Sequence, residues 1–333
     1  MSKEKSPPSA SSPARDDFHS ADDTNDSRSP YVLAKNFERS DLFAEMIRSE
    51  PRRAGLFWTP SRVAALETDT IVQRLARLGI VTTLEDFEIF AESFTSAWSV
   101  SNLWRAKFSE GRLPRHDDDF LGIAACQLWK RYCPNTPSVE MLDDWMQDGY
   151  RSMMGGDAAR ACDLWSAVWD VVRSRLKPTM RTCDQASSVF DGTQCLFNWI
   201  QDYCLELTNA AVAAPRYATD GIRLCEHVLG QFVDESPLFL RGFCTDLGLF
   251  HFLAGNIEDG QRVLLGVIRD NPDRAVGYAR LADLLAYGPR NGDEPIDPQR
   301  ARRILEEALS RPVKDAAKYD LETRLQEIRN DFA

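Results

Sequence analysis

The sequence lacks the side-chain spacings that usually mark metal sites and catalytic centres. Its 333 residues include eight cysteines but no Cys-x-x-Cys pair, so we expect no structural zinc site. Only four histidines occur, and none stands in a Ser-His-Asp, Cys-His or Glu-x-x-His arrangement; a glycine-rich phosphate loop is also missing. We therefore expect no metal, no cofactor and no catalytic residue.

Long apolar runs and an excess of basic residues are missing as well. No run is long enough to span a membrane, and the N-terminus lacks the apolar core of a secretion signal. The net charge of −11 argues against a protein that binds nucleic-acid backbones, because such contacts need a basic surface. Most cysteines lie within apolar helical patterns, which favours buried thiols in a reducing compartment. We therefore expect a cytoplasmic protein that contacts neither membrane nor nucleic acid.

Residues 1–35 are rich in Ser, Pro, Asp and Lys, and such a segment has too little to bury to offset its ordering entropy. We expect a disordered tail there. Residues 36–134 then show helical apolar periodicity without a repeat and predict an N-terminal helical module. Thr59-Pro60 is typical of a helix start, Gly79 of a helix end, and Thr82 with Glu85 of a capping box.

The stretch from Arg241 to Arg274 has the marks of two packed helices joined by a turn. Gly255 suits the left-handed conformation that closes a helix, Asn256 suits the cap of the next one, and Pro272 stops it. Glycines and leucines at the intervening positions suit a close helix–helix seam.

A second stretch keeps the same register, and this pattern resembles the tetratricopeptide repeat, a helix–turn–helix unit of about 34 residues. Gly149, Gly156 and Trp165 hold the relative places of Gly248, Gly255 and Leu264. The resemblance implies an all-α protein in which an α-solenoid of tetratricopeptide-like helix pairs (135–315) follows the N-terminal module. A charged helix (316–333) would cap it. Some similar uncharacterised bacterial proteins carry a C-terminal SEC-C zinc motif, but no cysteine follows Cys244 here, so that motif is absent.

A stripe of polar residues is predicted on one face of the helix that we expect from about Asp191 to Ala213. It consists of Gln194, Asn198, Gln201 and Asp202. Amides and a carboxylate make directional hydrogen bonds, so the stripe suits partner binding. The alternative is that these side chains bond to neighbouring backbone and lock an atypical helix. The pair Asp143-Asp144, by contrast, is interpreted as part of a solvated face.

In tetratricopeptide proteins the first helix of each unit lines a concave groove, and the resemblance transfers this role to particular positions. They are Met146, Tyr150, Met153, Thr245, Leu249, Phe252, Ala279, Asp283 and Tyr287. These residues are mostly apolar and include no cation, which favours a peptide or an amphipathic helix as the guest. We therefore expect a non-catalytic interaction or adaptor protein. Two alternatives stay open: an enzyme with a site between the helical modules, and a nucleic-acid-associated regulator.

Overall fold

The computed structural model of the chain describes residues 30–50, 52, 55–108, 113, 115–190, 192–290 and 296–332. Residues 1–29 of the predicted tail lie outside this part of the chain, as does Asp191. The disordered tail was predicted to extend to residue 35. This bound is wrong, because Pro30–Glu38 form a helix. Tyr31 in that helix is buried, and its hydroxyl accepts a hydrogen bond from Lys130 Nζ at 3.0 Å. The N-terminal module therefore begins at residue 30.

The described residues fold into α-helices, with one 3₁₀ turn at Ser187–Val189 in the longer connection between residues 175 and 196. The helices are α1 (Pro30–Glu38), α2 (Asp41–Ser49), α3 (Pro60–Ala64), α4 (Thr68–Arg77), α5 (Leu84–Ser93), α6 (Ala97–Arg105), α7 (Arg115–Tyr132), α8 (Val139–Met154), α9 (Ala158–Arg175), α10 (Leu196–Ala213), α11 (Arg216–Gln231), α12 (Pro237–Leu253), α13 (Ile257–Asp270), α14 (Ala275–Tyr287), α15 (Pro298–Leu309) and α16 (Leu321–Asp331). This part of the chain contains no strand, so the predicted all-α class is confirmed. None of its helices is both long and apolar enough to cross a membrane.

The described chain divides into two compact units, one ending at Ala254 and the other beginning at Gly255. This division falls inside the stretch Arg241–Arg274, between its two helices α12 and α13. The first unit therefore holds the N-terminal module together with the helices α8–α12. The second unit holds α13–α16.

The helix ends of the N-terminal module follow from local sequence signals. Thr59 caps α3 ahead of Pro60, as predicted. Gly79 has φ +81° and closes α4, while Ile80 N donates back to the Leu75 carbonyl at 3.0 Å. The predicted capping box is wrong by one residue: Thr83, not Thr82, caps α5 and pairs with Asp86. Both threonines can cap a helix, and Thr82 is instead buried.

A buried carboxylate joins the N-terminal module to α8. Glu140 is almost fully buried, and its side chain accepts hydrogen bonds at the start of α6 from the backbone of Ala97 (3.0 Å) and Trp98 (3.1 Å) and from the Ser96 hydroxyl (2.5 Å). The α6 cap residue Ser96 makes no side-chain cap of its own. Glu140 thus supplies from a distant helix the acceptor that the first turn of α6 needs.

From residue 138 the first unit is built from successive helix pairs. Gly156, with φ +77°, makes the turn between α8 and α9. Gly149 on α8 lies directly against the indole ring of Trp165 on α9, and Gly221 on α11 lies against Phe250 on α12. Glycine at these two positions therefore allows the helices to approach closely. The helix α10 begins at Leu196 rather than near Asp191, because an irregular segment precedes it.

The second unit is held by its own apolar seam, in which Ala301, Leu305 and Ala308 of α15 are buried. Gly255, with φ +83°, precedes α13. Asn256 stands at the cap position of α13, but its side chain makes no capping hydrogen bond. The last helix starts at Leu321 and not at Ala316, after a turn in which Asp320 adopts φ +49°.

Candidate functional site

Three helices of the first unit, α8, α10 and α12, contact one another in sequence order. Tyr150 on α8 donates its hydroxyl proton to Asp202 on α10 at 2.8 Å. On the other side, the rings of Phe197 (α10) and Phe239 (α12) stack with centroids 4.8 Å apart. The helix α10 thus contacts both α8 and α12.

The exposed residues of α10 form a single face without any charge, which we call the α10 face. It consists of Asn198, Gln201, Leu205, Asn209, Val212 and Ala213. The opposite side of the helix is buried and carries Trp199, Tyr203 and Leu207. Steps of three and four residues keep the exposed positions on one side of a helix.

Asp202 lies on the same side of the helix as this face, four residues after Asn198 and three before Leu205, but neither it nor the second acidic residue of α10, Glu206, is exposed. Asp202 is half-buried and binds Tyr150. Glu206 is buried, and its carboxylate accepts a hydrogen bond from Asn209 Nδ2 at 3.0 Å. Burial raises the pKa of the Glu206 carboxyl and the Asn209 bond opposes this. The helix contains no lysine or arginine, so a partner would meet amides and aliphatic groups beside the half-buried carboxylate of Asp202.

The predicted polar stripe is divided by the structure. Gln194 precedes α10 and is half-buried, while Asn198 and Gln201 are exposed. Their hydrogen bonds are local: Asn198 Nδ2 donates to Gln194 Oε1 at 3.4 Å, and Gln201 Nε2 donates to the Phe197 carbonyl at 3.0 Å. Asp202 and Gln194, in contrast, both form side-chain hydrogen bonds with Tyr150 on α8. The stripe thus comprises two exposed amides, one half-buried amide and one interhelical carboxylate.

The segment before α10 is held by a carboxylate that the sequence interpretation placed in solvent. Asp143 is buried, and its carboxylate accepts hydrogen bonds from Thr193 N (2.6 Å) and Thr193 Oγ1 (3.1 Å). Its neighbour Asp144 forms ion pairs with Lys35 and Lys130. The interpretation of Asp143-Asp144 as a solvated face is therefore wrong. The two carboxylates lie between Met141-Leu142 and Trp145-Met146, and these apolar neighbours were the signal of burial in the sequence.

Asp143 should make the stability of the protein depend on pH. Burial raises the pKa of the Asp143 carboxyl, against the Thr193 bonds and the charges of Lys35 and Arg39. The folded chain therefore keeps this proton at pH values where the unfolded chain, with a pKa of about 3.9, has lost it. The stabilising contribution of this group is therefore fully present below the pKa of the unfolded chain. It is lost as the pH rises through the pKa that Asp143 has in the folded chain.

We expect Asp143→Asn to gain stability relative to wild type as pH rises through this window, and the gain to level off above it. Urea midpoints measured from about pH 4 upward test this. Asp184→Asn, at an exposed carboxylate, is the control and should show no such trend. A difference between Asp143→Asn and wild type that does not change with pH would contradict the expectation.

The residues predicted to line a groove are mostly inside the protein. Their positions differ as follows: Met146, Thr245, Leu249, Phe252 and Ala279 are buried, Tyr150, Met153 and Asp283 are half-buried, and Tyr287 is exposed. Thr245 Oγ1 donates to the Arg241 carbonyl at 2.8 Å. In the second unit Asp283 pairs with Arg324, and Tyr287 donates to Asp331 at 3.2 Å. These predicted positions therefore provide little of the exposed surface. On α10, for example, the exposed residues are those of the α10 face.

An aromatic cluster lies beneath α10 and fixes its orientation. Trp199 stacks on Tyr203 with centroids 5.9 Å apart, and on Phe190 with centroids 5.4 Å apart. Trp165 meets Trp199 edge-on, and its indole Nε1 donates to the Met146 carbonyl at 2.9 Å. The α10 face is thus carried on a rigid, packed support.

Comparisons with protein-family models, with curated proteins and with solved structures find no match to this chain. Within the described residues, no three His, Cys, Asp or Glu side chains gather in a way that could hold a metal ion. Six of the eight cysteines are buried, whereas Cys195 is exposed and Cys244 is half-buried.

Proposed function

We propose that this protein is a non-catalytic, cytoplasmic interaction or adaptor protein that binds a peptide or helix of a partner protein on the α10 face. The observation that carries the proposal is the absence of charge from every exposed residue of α10, in a chain of which 27% is charged. The cores of protein–protein interfaces are depleted in charged side chains. The same absence of cations disfavours a nucleic-acid partner, whose phosphates need basic residues.

We further propose that the helix pairs form a tetratricopeptide-like solenoid. The contacts of α8 with α10 and of α10 with α12 support this, since first helices of successive units adjoin in such repeats. The second helices adjoin as well: Tyr217 on α11 donates to Asp163 on α9 at 3.0 Å. A row of first helices beside a row of second helices is what stacked helix pairs produce.

The side chains of the α10 face suit a guest with both polar and apolar groups. The amides of Asn198, Gln201 and Asn209 can donate to and accept from a peptide backbone. Leu205 and Val212 are 41% and 47% exposed and offer apolar contacts beside them. A peptide or an amphipathic helix presents this combination of groups.

Position-specific photo-crosslinking tests the proposal. A photoreactive amino acid is placed at Gln201 on the α10 face, and in a matched variant at Thr219, which is exposed on α11. In lysate of the source organism, we expect a discrete crosslinked protein from position 201 and not from position 219. Adding Asn198→Lys to the first variant should abolish the crosslink, because it buries an unpaired charge in the interface. Equal crosslinking at both positions, or a crosslink that survives Asn198→Lys, would contradict the proposal.

The roles within the polar stripe are separable by stability. We expect Asn198→Ala and Gln201→Ala to leave the melting temperature nearly unchanged, since exposed amides are already satisfied by water. Asp202→Ala should destabilise by roughly 1 kcal/mol, because Tyr150 then loses its acceptor. Tyr150→Phe is the matched control, because it removes the same hydrogen bond. The double variant should therefore lose less stability than the sum of the losses in the two single variants. A large drop for Asn198→Ala would instead support the structural-lock interpretation.

A further inference from the structure

A cavity of about 610 Å³ opens in the N-terminal module beside the start of α3. None of the residues singled out from the sequence as site residues lies in it. Its lining consists of Gly55, Leu56, Phe57, Trp58, Arg62, Arg74, His116 and Asp119. The volume is within the range that small-molecule sites usually have.

The first guanidinium of the cavity, that of Arg62, is held in place but keeps donors available. Its Nη1 donates to the carbonyls of Gly55 (2.7 Å) and Phe57 (2.8 Å), and its Cζ lies 4.3 Å from the centre of the Trp58 ring. Within the described part of the chain it forms no ion pair with a carboxylate. Arg62 is exposed, so its remaining N–H groups can be reached from solvent.

Arg74 differs, because a carboxylate already engages it. Its Nη2 donates to Asp117 at 3.1 Å, and His116 Nε2 lies 3.3 Å from the same carboxylate oxygen. Its Cζ is 4.6 Å from the Trp58 ring centre. The charge of Arg74 is thus balanced by Asp117. Arg62 is therefore the arginine of the lining that remains for a ligand.

The lining also contains two apolar side chains that are not fully buried, those of Leu56 and Phe57. Leu56 is 69% exposed and Phe57 is half-buried, although both side chains favour burial. Arg62 fixes the backbone on either side of Leu56 through the two carbonyl bonds. The exposed leucine is thus held at the mouth of the cavity by the same arginine that offers the free donors.

We propose that this cavity binds a small organic anion, a carboxylate or phosphate attached to a compact apolar body. The anionic group pairs with Arg62, whose planar guanidinium matches either group, and the apolar body lies on Leu56 and Phe57. The site is separate from the α10 face and does not depend on the function proposed for it.

Titration calorimetry on the full chain tests the proposal with four probes: phenylacetate, phenyl phosphate, 2-phenylethanol and inorganic phosphate. We expect binding of at least one of the two aromatic anions. The neutral alcohol, which lacks the charge, and inorganic phosphate, which lacks the apolar body, should bind at least about tenfold more weakly. The two aromatic anions distinguish a carboxylate ligand from a phosphate ligand.

Two variants assign the binding to the cavity. Leu56→Ala removes an exposed side chain and should weaken binding several-fold, and Arg62→Gln should weaken it about tenfold or more. Val81→Ala is the matched control, because Val81 is 78% exposed on the same module and does not line the cavity. Thermal melts verify that each variant folds, and the Leu56→Ala result stands even if Arg62→Gln does not fold. Binding of neither anion, equal binding of the alcohol, or binding unchanged in Leu56→Ala would overturn the proposal.

Discussion

Replacing Glu140 by alanine is expected to lower the free energy of unfolding by about 4 kcal/mol. Its carboxylate is buried and accepts three hydrogen bonds at the start of α6, from Ser96, Ala97 and Trp98. Alanine would leave the two backbone N–H groups without an acceptor, and each buried unsatisfied donor costs roughly 1–3 kcal/mol. It would also remove a contact between the N-terminal module and α8, so both should loosen. Chemical denaturation measures the change.

The matched control is Glu92→Ala, at an exposed glutamate on α5 in the same module. It should change stability by less than about 0.5 kcal/mol. Hydrogen exchange gives a second measure, because the amide protons of Ala97 and Trp98 should lose protection first. If Glu140→Ala were as stable as Glu92→Ala, the carboxylate could not be the cap of α6.

Substituting Gly149 by alanine is expected to destabilise the protein by about 2–3 kcal/mol, although alanine favours helices. A Cβ atom at Gly149 would lie 2.5 Å from Cδ1 and 2.7 Å from Cε2 of Trp165, closer than van der Waals contact. Trp165 cannot move away easily, because it is fully buried and its indole donates to the Met146 carbonyl at 2.9 Å. Either the helices α8 and α9 separate or that hydrogen bond breaks.

Gly242→Ala provides a comparison of opposite sign. Gly242 is also inside a helix, α12, but no atom lies within 4 Å of a Cβ built there. Alanine should therefore stabilise the protein by up to about 1 kcal/mol through helix propensity alone. Denaturation midpoints that move in the same direction for both variants would show that Gly149 is not a packing position.

Local signals predicted the helix ends well where one residue type decides them. Gly79, Gly156 and Gly255 all adopt positive φ, because a residue without Cβ reaches that conformation without strain. The predictions failed where neighbours compete for the same role. Thr83 replaced Thr82 as a cap.

The candidate surface could be predicted only in part. Helical spacing placed Asn198 and Gln201 on one face, and the structure exposes both. The same spacing could not tell that Met146 and Phe252 would be buried, since periodicity groups residues on a face without stating what covers it. The sequence also shows that Leu205 and Val212, on the same side of the helix, are uncharged. It does not show that they are exposed.

By itself the sequence determined the all-helical class and several helix ends, because periodicity, caps and glycine closures act over a few residues. The tertiary structure alone decided which polar groups are buried. Asp143 meets Thr193 50 residues away, and Glu140 meets Ser96 44 residues away. Such a carboxylate can leave water only when donors converge on it in space. That convergence depends on how the helices pack, which no local pattern in the chain records.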